Sequence, residues 1–258
     1  MRIASAVLFA GAASLGFGCV HAPVTGELGR APYLRAHLDR LQPAKLKQFE
    51  DGRREWLAAL AVQKGFDPWW GSFFELEGLG FLSLRPLGSL GELGRKAPDT
   101  PVTPERTAAV TRYNQQSDEG LLFPHRSQIW RVESDLTYQP PGGAVALTGP
   151  GRGKVVFEGV EPTQSDDYEK AWKEIHLALA KARFPLAHFV FSNLYGDGRV
   201  VSVWLGPAEA HAPELEAALR LALGAERAGE LLRAARAPVA TTEEYPLRAR
   251  PDLSDRPD

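Results

Sequence analysis

One cysteine and one methionine are all the sulfur this 258-residue chain contains. A single thiol, Cys19, can close no disulfide within the chain and build no cysteine-rich metal site, so stability has to come from a packed core. An excess charge of one sign is missing as well. The 30 lysines and arginines stand against 32 aspartates and glutamates, for a net charge of −2, which leaves no basic surplus to neutralise phosphates and speaks against nucleic acid as a partner. No apolar run reaches the roughly 20 residues that a membrane-spanning helix needs. Catalytic motifs are sparse too. Gly149-Pro150-Gly151-Arg152-Gly153-Lys154 has no Ser or Thr after the lysine and precedes a strand pattern, so it is not a phosphate loop. Ser89 in Leu87-Gly88-Ser89-Leu90-Gly91 lacks the first glycine of a nucleophile elbow. No His-Glu-x-x-His spacing occurs. A hydrolase or metalloenzyme is not expected, and no metal or cofactor is assigned.

What is present begins at the N-terminus. Met1-Arg2 is a small positive segment, Ile3 to Phe17 an apolar run, and Gly16-Phe17-Gly18 supplies small residues just before Cys19. Gly18-Cys19 resembles the end of a bacterial lipoprotein signal, although Leu15 stands one residue too far upstream of the cysteine. Two other readings stay open: a secretory cut after Val20-His21-Ala22, which Pro23 disfavours, and an uncleaved anchor, which the short, glycine-interrupted run disfavours. The lipoprotein reading makes residues 1–18 a signal peptide, Cys19 the lipidation site and 19–32 a tether. It implies a bacterial envelope protein, held to the membrane by lipid on Cys19, on the outer membrane by expectation.

An internal repeat follows. Leu41-Gln42-Pro43 with Phe49-Glu50, Glu55 and Leu60 matches Val160-Glu161-Pro162 with Tyr168-Glu169, Glu174 and Leu179, each pair 119 residues apart. Leu82-Ser83-Leu84 answers Val201-Ser202-Val203 at the same offset, and Arg131 to Thr137 answers Arg248 to Ser254 at 117. Each half reads as strand, helix, strand, strand, helix, strand. In the second half, Tyr168, Trp172, Ile175, Leu179 and Ala182 share one face of a helix over 165–183, with Thr163 or Ser165 as its cap. Strands at 188–195 and 199–205 flank Gly196-Asp197-Gly198, a hairpin turn. Pro213 opens a further helix, Gly224 breaks it, and a short helix runs over 226–235. A last strand over 243–250 contains Pro246, which suits an edge or a bulge. The first half gives a strand at 33–41, helices at 43–64 and 105–117, a hairpin at 70–76 and 81–84, and a closing strand at 127–133.

The expected fold is therefore α+β: two tandem ferredoxin-like βαββαβ repeats, over 33–140 and 154–258 with a turn-rich linker at 141–153, pairing as an intrachain dimeric α-β barrel. On the Pro162 to Ile175 helix start, the His188 to Trp204 hairpin and Leu223-Gly224-Ala225-Glu226, the chain resembles the dimeric α-β barrel superfamily, in particular NIPSNAP-like and antibiotic-biosynthesis-monooxygenase-like domains. Members of that superfamily run cofactor-independent oxygenation, peroxidation, haem chemistry or none, so the resemblance fixes no activity.

Candidate site residues are few. His176, on the long helix of the second half, stands where an axial haem ligand would, against the alternative of a structural histidine. His188 alternates with Val190 and Ser192, opposite Phe189 and Phe191; if that face lines a barrel cavity, His188 is an acid or base over an aromatic ligand, against the alternative of a strand-end histidine near solvent, which the lack of an acid partner at fixed spacing favours. His37 and Asp39 share a face of the first strand, and Glu158 is the repeat partner of Asp39, a symmetry-related carboxylate pair or two surface groups. Trp69-Trp70 after Pro68, with Phe66, Phe73 and Phe74, is the densest aromatic cluster, most of it expected in the core with a ligand wall or a membrane-facing patch as the alternative; Trp70, Phe73 and Phe191 are the ligand-wall candidates. Two functions are carried forward. One is a membrane-anchored binding protein for a small apolar ligand or an envelope protein. The other is a cofactor-independent monooxygenase-like enzyme acting on an aromatic substrate. An open barrel interior containing His188 would favour the enzyme, and a filled one the binding protein.

Overall fold

The computed structural model describes residues 31–62, 71–77, 80–94, 103–140, 151–195, 198–207 and 214–254. Cys19, the Phe66 to Trp70 cluster, most of the linker, Gly196-Asp197 and Pro213 lie outside the described residues. Among the described residues there are eight strands: β1 (Tyr33–Leu41), β2 (Ser72–Leu76), β3 (Gly80–Leu87), β4 (Leu121–Val132), β5 (Gly151–Val160), β6 (Ala187–Asn193), β7 (Val200–Pro207) and β8 (Val239–Ala249). Helices α1 (Leu46–Val62) and α2 (Pro104–Gly120) belong to the first half. Helices α3 (Ser165–Lys181), α4 (Leu215–Leu223) and α5 (Ala225–Arg236) belong to the second.

The strands form one closed barrel in the order β1-β3-β2-β8-β5-β7-β6-β4, with every neighbouring pair antiparallel. This corrects the expectation of two tandem ferredoxin-like repeats: neither half owns a sheet. An open four-stranded sheet exposes two rows of unpaired N–H and C=O groups. Here those edges are consumed, β2 bonding to β8 through Phe74–Leu76 and β4 to β6 through Trp130–Val132. The cooperative unit is the eight-stranded barrel, closed by two short seams.

Inside the barrel, alternate residues from every strand fill the space. Leu34, Phe74, Leu82, Trp130, Phe157, Phe189, Phe191 and Val203 are buried there among other aliphatic side chains. A void of only about 20 Å³ remains, beneath a polar mouth carrying Arg40, Arg126, Arg199 and Glu243. The helices cover the outer face. Tyr168, Trp172, Ile175 and Leu179 of α3, with Leu219 of α4 and Leu231 and Leu232 of α5, bury Val156, Val190 and Trp204 from outside. Among the described residues the covering of the first half is thinner, with Phe49 of α1 stacked on Phe81, whose ring meets that of Phe73.

Helix ends differ in detail from the sequence reading. Thr103 caps α2 by accepting from the Arg106 N–H, while neither Thr163 nor Ser165 caps α3, whose Ser165 hydroxyl donates back to the Pro162 carbonyl. Gly224, at φ 83°, makes the break between α4 and α5 that a side chain would resist. Nor is β8 an edge strand, since it is bonded to both β2 and β5. Pro246 stands just past the last β2–β8 pair, Leu76–Leu247, where its carbonyl accepts from the Glu77 N–H.

Candidate functional site

Between the helical layer and the outer face of the barrel lie two clefts, one in each half. The sheet registers beneath them coincide at the 119-residue offset: Arg35 opposes Arg85 as Lys154 opposes Trp204, and His37 opposes Ser83 as Val156 opposes Ser202. The cleft of the second half encloses about 750 Å³, within the usual range for small-molecule sites. Its floor is Val156, Ser202 and Trp204, and its walls are Trp172, Phe184, Leu186, Leu215 and Leu232. Three cations, Arg152, Lys154 and Arg236, and three carboxylates, Glu158, Glu214 and Glu244, share the lining. Lys154 and Glu244 pair at 2.9 Å.

Glu158 is the chemically poised group of this cleft. Burial raises its pKa, against the lowering effects of the Tyr168 hydrogen bond and of Lys154. The Tyr168 hydroxyl donates to Glu158 Oε2 at 2.6 Å, and burial with the adjacent carboxylate drives the phenol pKa far up, so tyrosine remains the proton donor. A carboxyl lifted toward neutrality beside an aromatic cavity can accept a proton from a bound hydroxyl and return it.

His188 is completely buried, but it is not in the barrel interior. Its ring stacks on Trp204 at 3.9 Å and 14°, meets Trp172 at 4.6 Å, and places Nδ1 2.8 Å from His176 Nε2. Its Nε2 has no hydrogen-bond partner among the described residues. The two imidazoles lie behind the tryptophans, and neither lines a cleft. His176 therefore does not fit an axial haem position: its Nε2 is occupied by His188, and the ring stacks beside Tyr138 in the packed layer. Among the described residues no three His, Cys, Asp or Glu side chains converge on a metal position.

The other sequence candidates separate. His37, Asp39 and Phe73 line the cleft of the first half, so Asp39 and Glu158 serve two different cavities. Phe191 is in the barrel core, stacked on Trp130 at 5.5 Å, and walls no ligand cavity. Trp70 lies outside the described residues. Sequence reasoning passed over Trp204 and Tyr168 as site residues, and over Arg35, Arg53 and Arg85. Their signal was available, because the 119-residue offset that pairs Asp39 with Glu158 also sets Arg53 against Trp172 and Arg85 against Trp204.

No protein-family model matches the sequence, and no curated protein is similar to it. Solved structures share its fold. A candidate monooxygenase from Fusobacterium nucleatum superposes with a TM-score of 0.54 at 9% identity, over 85% of this chain and 92% of that one. An anthrone oxidase-like protein gives 0.54 at 16% identity, over 86% and 93%. A chlorite dismutase mutant from Candidatus Nitrospira defluvii gives 0.50 at 7% identity, over 87% and 93%. Identities this low establish a shared barrel architecture, one that carries more than one named activity, and no more.

Proposed function

We propose that this protein binds an uncharged aromatic small molecule in the cleft of its second half. One observation carries the reading: an aromatic-floored cavity of about 750 Å³ whose lining cations and carboxylates are equal in number. Indole faces give a flat ring large contact areas at little entropic cost, and a charge-balanced rim gives no net attraction for an anion or a cation. The filled barrel interior, which leaves His188 outside any cavity, favours binding in this cleft over chemistry inside the barrel. Titrating the purified protein with 2-naphthol should give saturable quenching of tryptophan fluorescence. Trp204→Leu should weaken that binding tenfold or more, about 1.4 kcal/mol. If a series of uncharged two-ring aromatics showed no saturation, the assignment would be wrong.

A second reading is favoured by Glu158 and Tyr168. A carboxyl with a raised pKa at the cleft wall suits oxygenation without a cofactor, in line with the likeness to candidate monooxygenases. In that chemistry Glu158 removes a proton from a hydroxylated aromatic, and the resulting anion passes electrons to molecular oxygen. The ring loses two hydrogens and gains one oxygen as a quinone, and the second oxygen atom leaves as water. Oxygen uptake with such a substrate, lost in Glu158→Gln at unchanged melting temperature, would establish this activity. Binding without uptake would leave the protein a carrier.

We also propose that the chain is carried on a bacterial membrane by diacylglycerol on Cys19, a reading supported by the apolar run and small residues before that thiol. Cys19→Ser should abolish incorporation of a labelled fatty acid and move the protein to the soluble fraction. Labelling that persists in the variant would place the attachment elsewhere.

A further inference from the structure

We propose that the cleft of the first half is a second and chemically distinct ligand site, one that takes a planar aromatic carboxylate. It encloses about 570 Å³ between α1, α2 and the outer face of β1 and β3. At the positions where the second cleft has Trp172 and Trp204, this one has Arg53 and Arg85, each 119 residues earlier. The exchange turns a charge-balanced aromatic floor into a cationic one. Arg35, Arg53 and Arg85, with His37 beside them, outnumber Asp39 and Asp118.

Two features mark a built site rather than a solvated basic face. Arg35 and Arg85 are direct cross-strand partners on adjacent strands and both are half-buried. Side chains directly opposite on adjacent strands have Cβ atoms about 5 Å apart, so the two guanidinium groups stand together over the cleft that both residues line. Arg53 is held in advance. It is only 4% exposed, its Nε donates to the Leu253 carbonyl at 3.0 Å, and its guanidinium carbon lies 4.0 Å from the Trp56 ring centre and 4.4 Å from that of Phe73.

The same stack dictates the ligand. Guanidinium forks bind a carboxylate through two parallel hydrogen bonds, which a point-charge ammonium does not. Trp56, Phe73 and Tyr113 supply apolar wall for the rest of the molecule. Burial raises the Tyr113 pKa, so its hydroxyl stays protonated and adds no negative charge to the cleft. An anion with an aromatic body is thus matched at both ends. This inference is independent of the reading of the second cleft, because it rests on different residues.

Isothermal titration of the full-length protein with 2-naphthoate and with 2-naphthalenemethanol, its uncharged counterpart, tests the proposal. The carboxylate should bind with Arg85→Gln and Arg35→Gln each weakening it tenfold or more, and Arg85→Lys restoring only part of the loss. Trp204→Leu, in the other cleft, should change naphthoate affinity less than twofold, although it weakens 2-naphthol. Should either arginine variant fail to show a wild-type melting transition, the other carries the comparison. The proposal is overturned if 2-naphthoate does not bind, if both arginine variants retain wild-type affinity, or if Trp204→Leu abolishes the binding. It is also overturned if inorganic phosphate at equal concentration displaces naphthoate fully, since the site would then read charge alone.

Discussion

Trp130→Ala should lower the free energy of unfolding by about 3–5 kcal/mol, the range for deleting a large buried aromatic from a packed core. Trp130 is 1% exposed, stacks on Phe191 at 5.5 Å and meets Phe157 edge-on at 6.2 Å, all inside the barrel. Its indole N–H is satisfied by Gln128 at 2.9 Å, so the substitution also strands an acceptor at the barrel mouth. The position adds to the effect. Trp130 opens the seam between β4 and β6, whose ladder pairs Trp130–Asn193, Arg131–Ser192 and Val132–Phe191 and is flanked by bonds from the Leu194 N–H to the Ile129 carbonyl and from the Glu133 N–H to the Val190 carbonyl. A cavity here lies against one of the two seams that join the halves. Urea unfolding of wild type and variant would give the difference directly, and a loss below about 1 kcal/mol would show that the interior is loosely filled and able to collapse. Phe191→Leu, which keeps most of the volume, should cost far less.

The fate of Phe191 and His188 shows where sequence reading stops. Their alternation on β6 was legible, as were α3 with its apolar stripe and the hairpin that follows. Which face looks inward was not. The strand Ala187–Asn193 is buried almost throughout, because the barrel interior covers one side and the helices the other. A strand buried on both faces carries no polar alternation to mark its solvent side. The sequence pattern therefore leaves His188 open to a cavity or to solvent and offers Phe191 as a ligand wall, whereas the imidazole is buried under α3 and the phenyl ring fills the barrel. The seams were hidden for a different reason. Their pairings, Phe74 with Ala249 and Trp130 with Asn193, join residues far apart in sequence, and no local pattern specifies which sheet edge meets which. The 119-residue offset was legible and is repeated in the register of β1/β3 and β5/β7. It reached the clefts only in part, because Asp39 and Glu158 stood out as alike, whereas Arg53 and Trp172, or Arg85 and Trp204, are informative through being different.

Stability should fall as the solution is acidified from pH 7 toward pH 4, and the buried His176–His188 pair should account for much of the fall. Burial pushes the His176 pKa down to about 4, and burial together with the neighbouring His176 and Lys154 holds His188 well below the ordinary value. In the folded chain the imidazoles share one hydrogen at 2.8 Å, one ring donating and the other accepting. Tyr138, Trp172 and Trp204 pack around them, and no carboxylate contributes to either shift. The unfolded chain binds protons on both rings below about pH 6.5 while the folded chain does not, so the stabilising contribution is complete above that pH and drains away through the window. For His176 alone the loss is about 3 kcal/mol by pH 4. Glu158, with its raised pKa, acts in the opposite direction, and the Arg250-held carboxylates Glu50 and Asp252 titrate below the ordinary carboxylate range. The comparison that isolates the pair is His176→Leu combined with His188→Leu, unfolded in urea at pH 7 and at pH 5. The double variant should lose markedly less stability between the two than wild type does. An unchanged pH dependence would mean that the imidazoles take up protons in the folded protein, which is incompatible with two rings sealed behind Trp172 and Trp204.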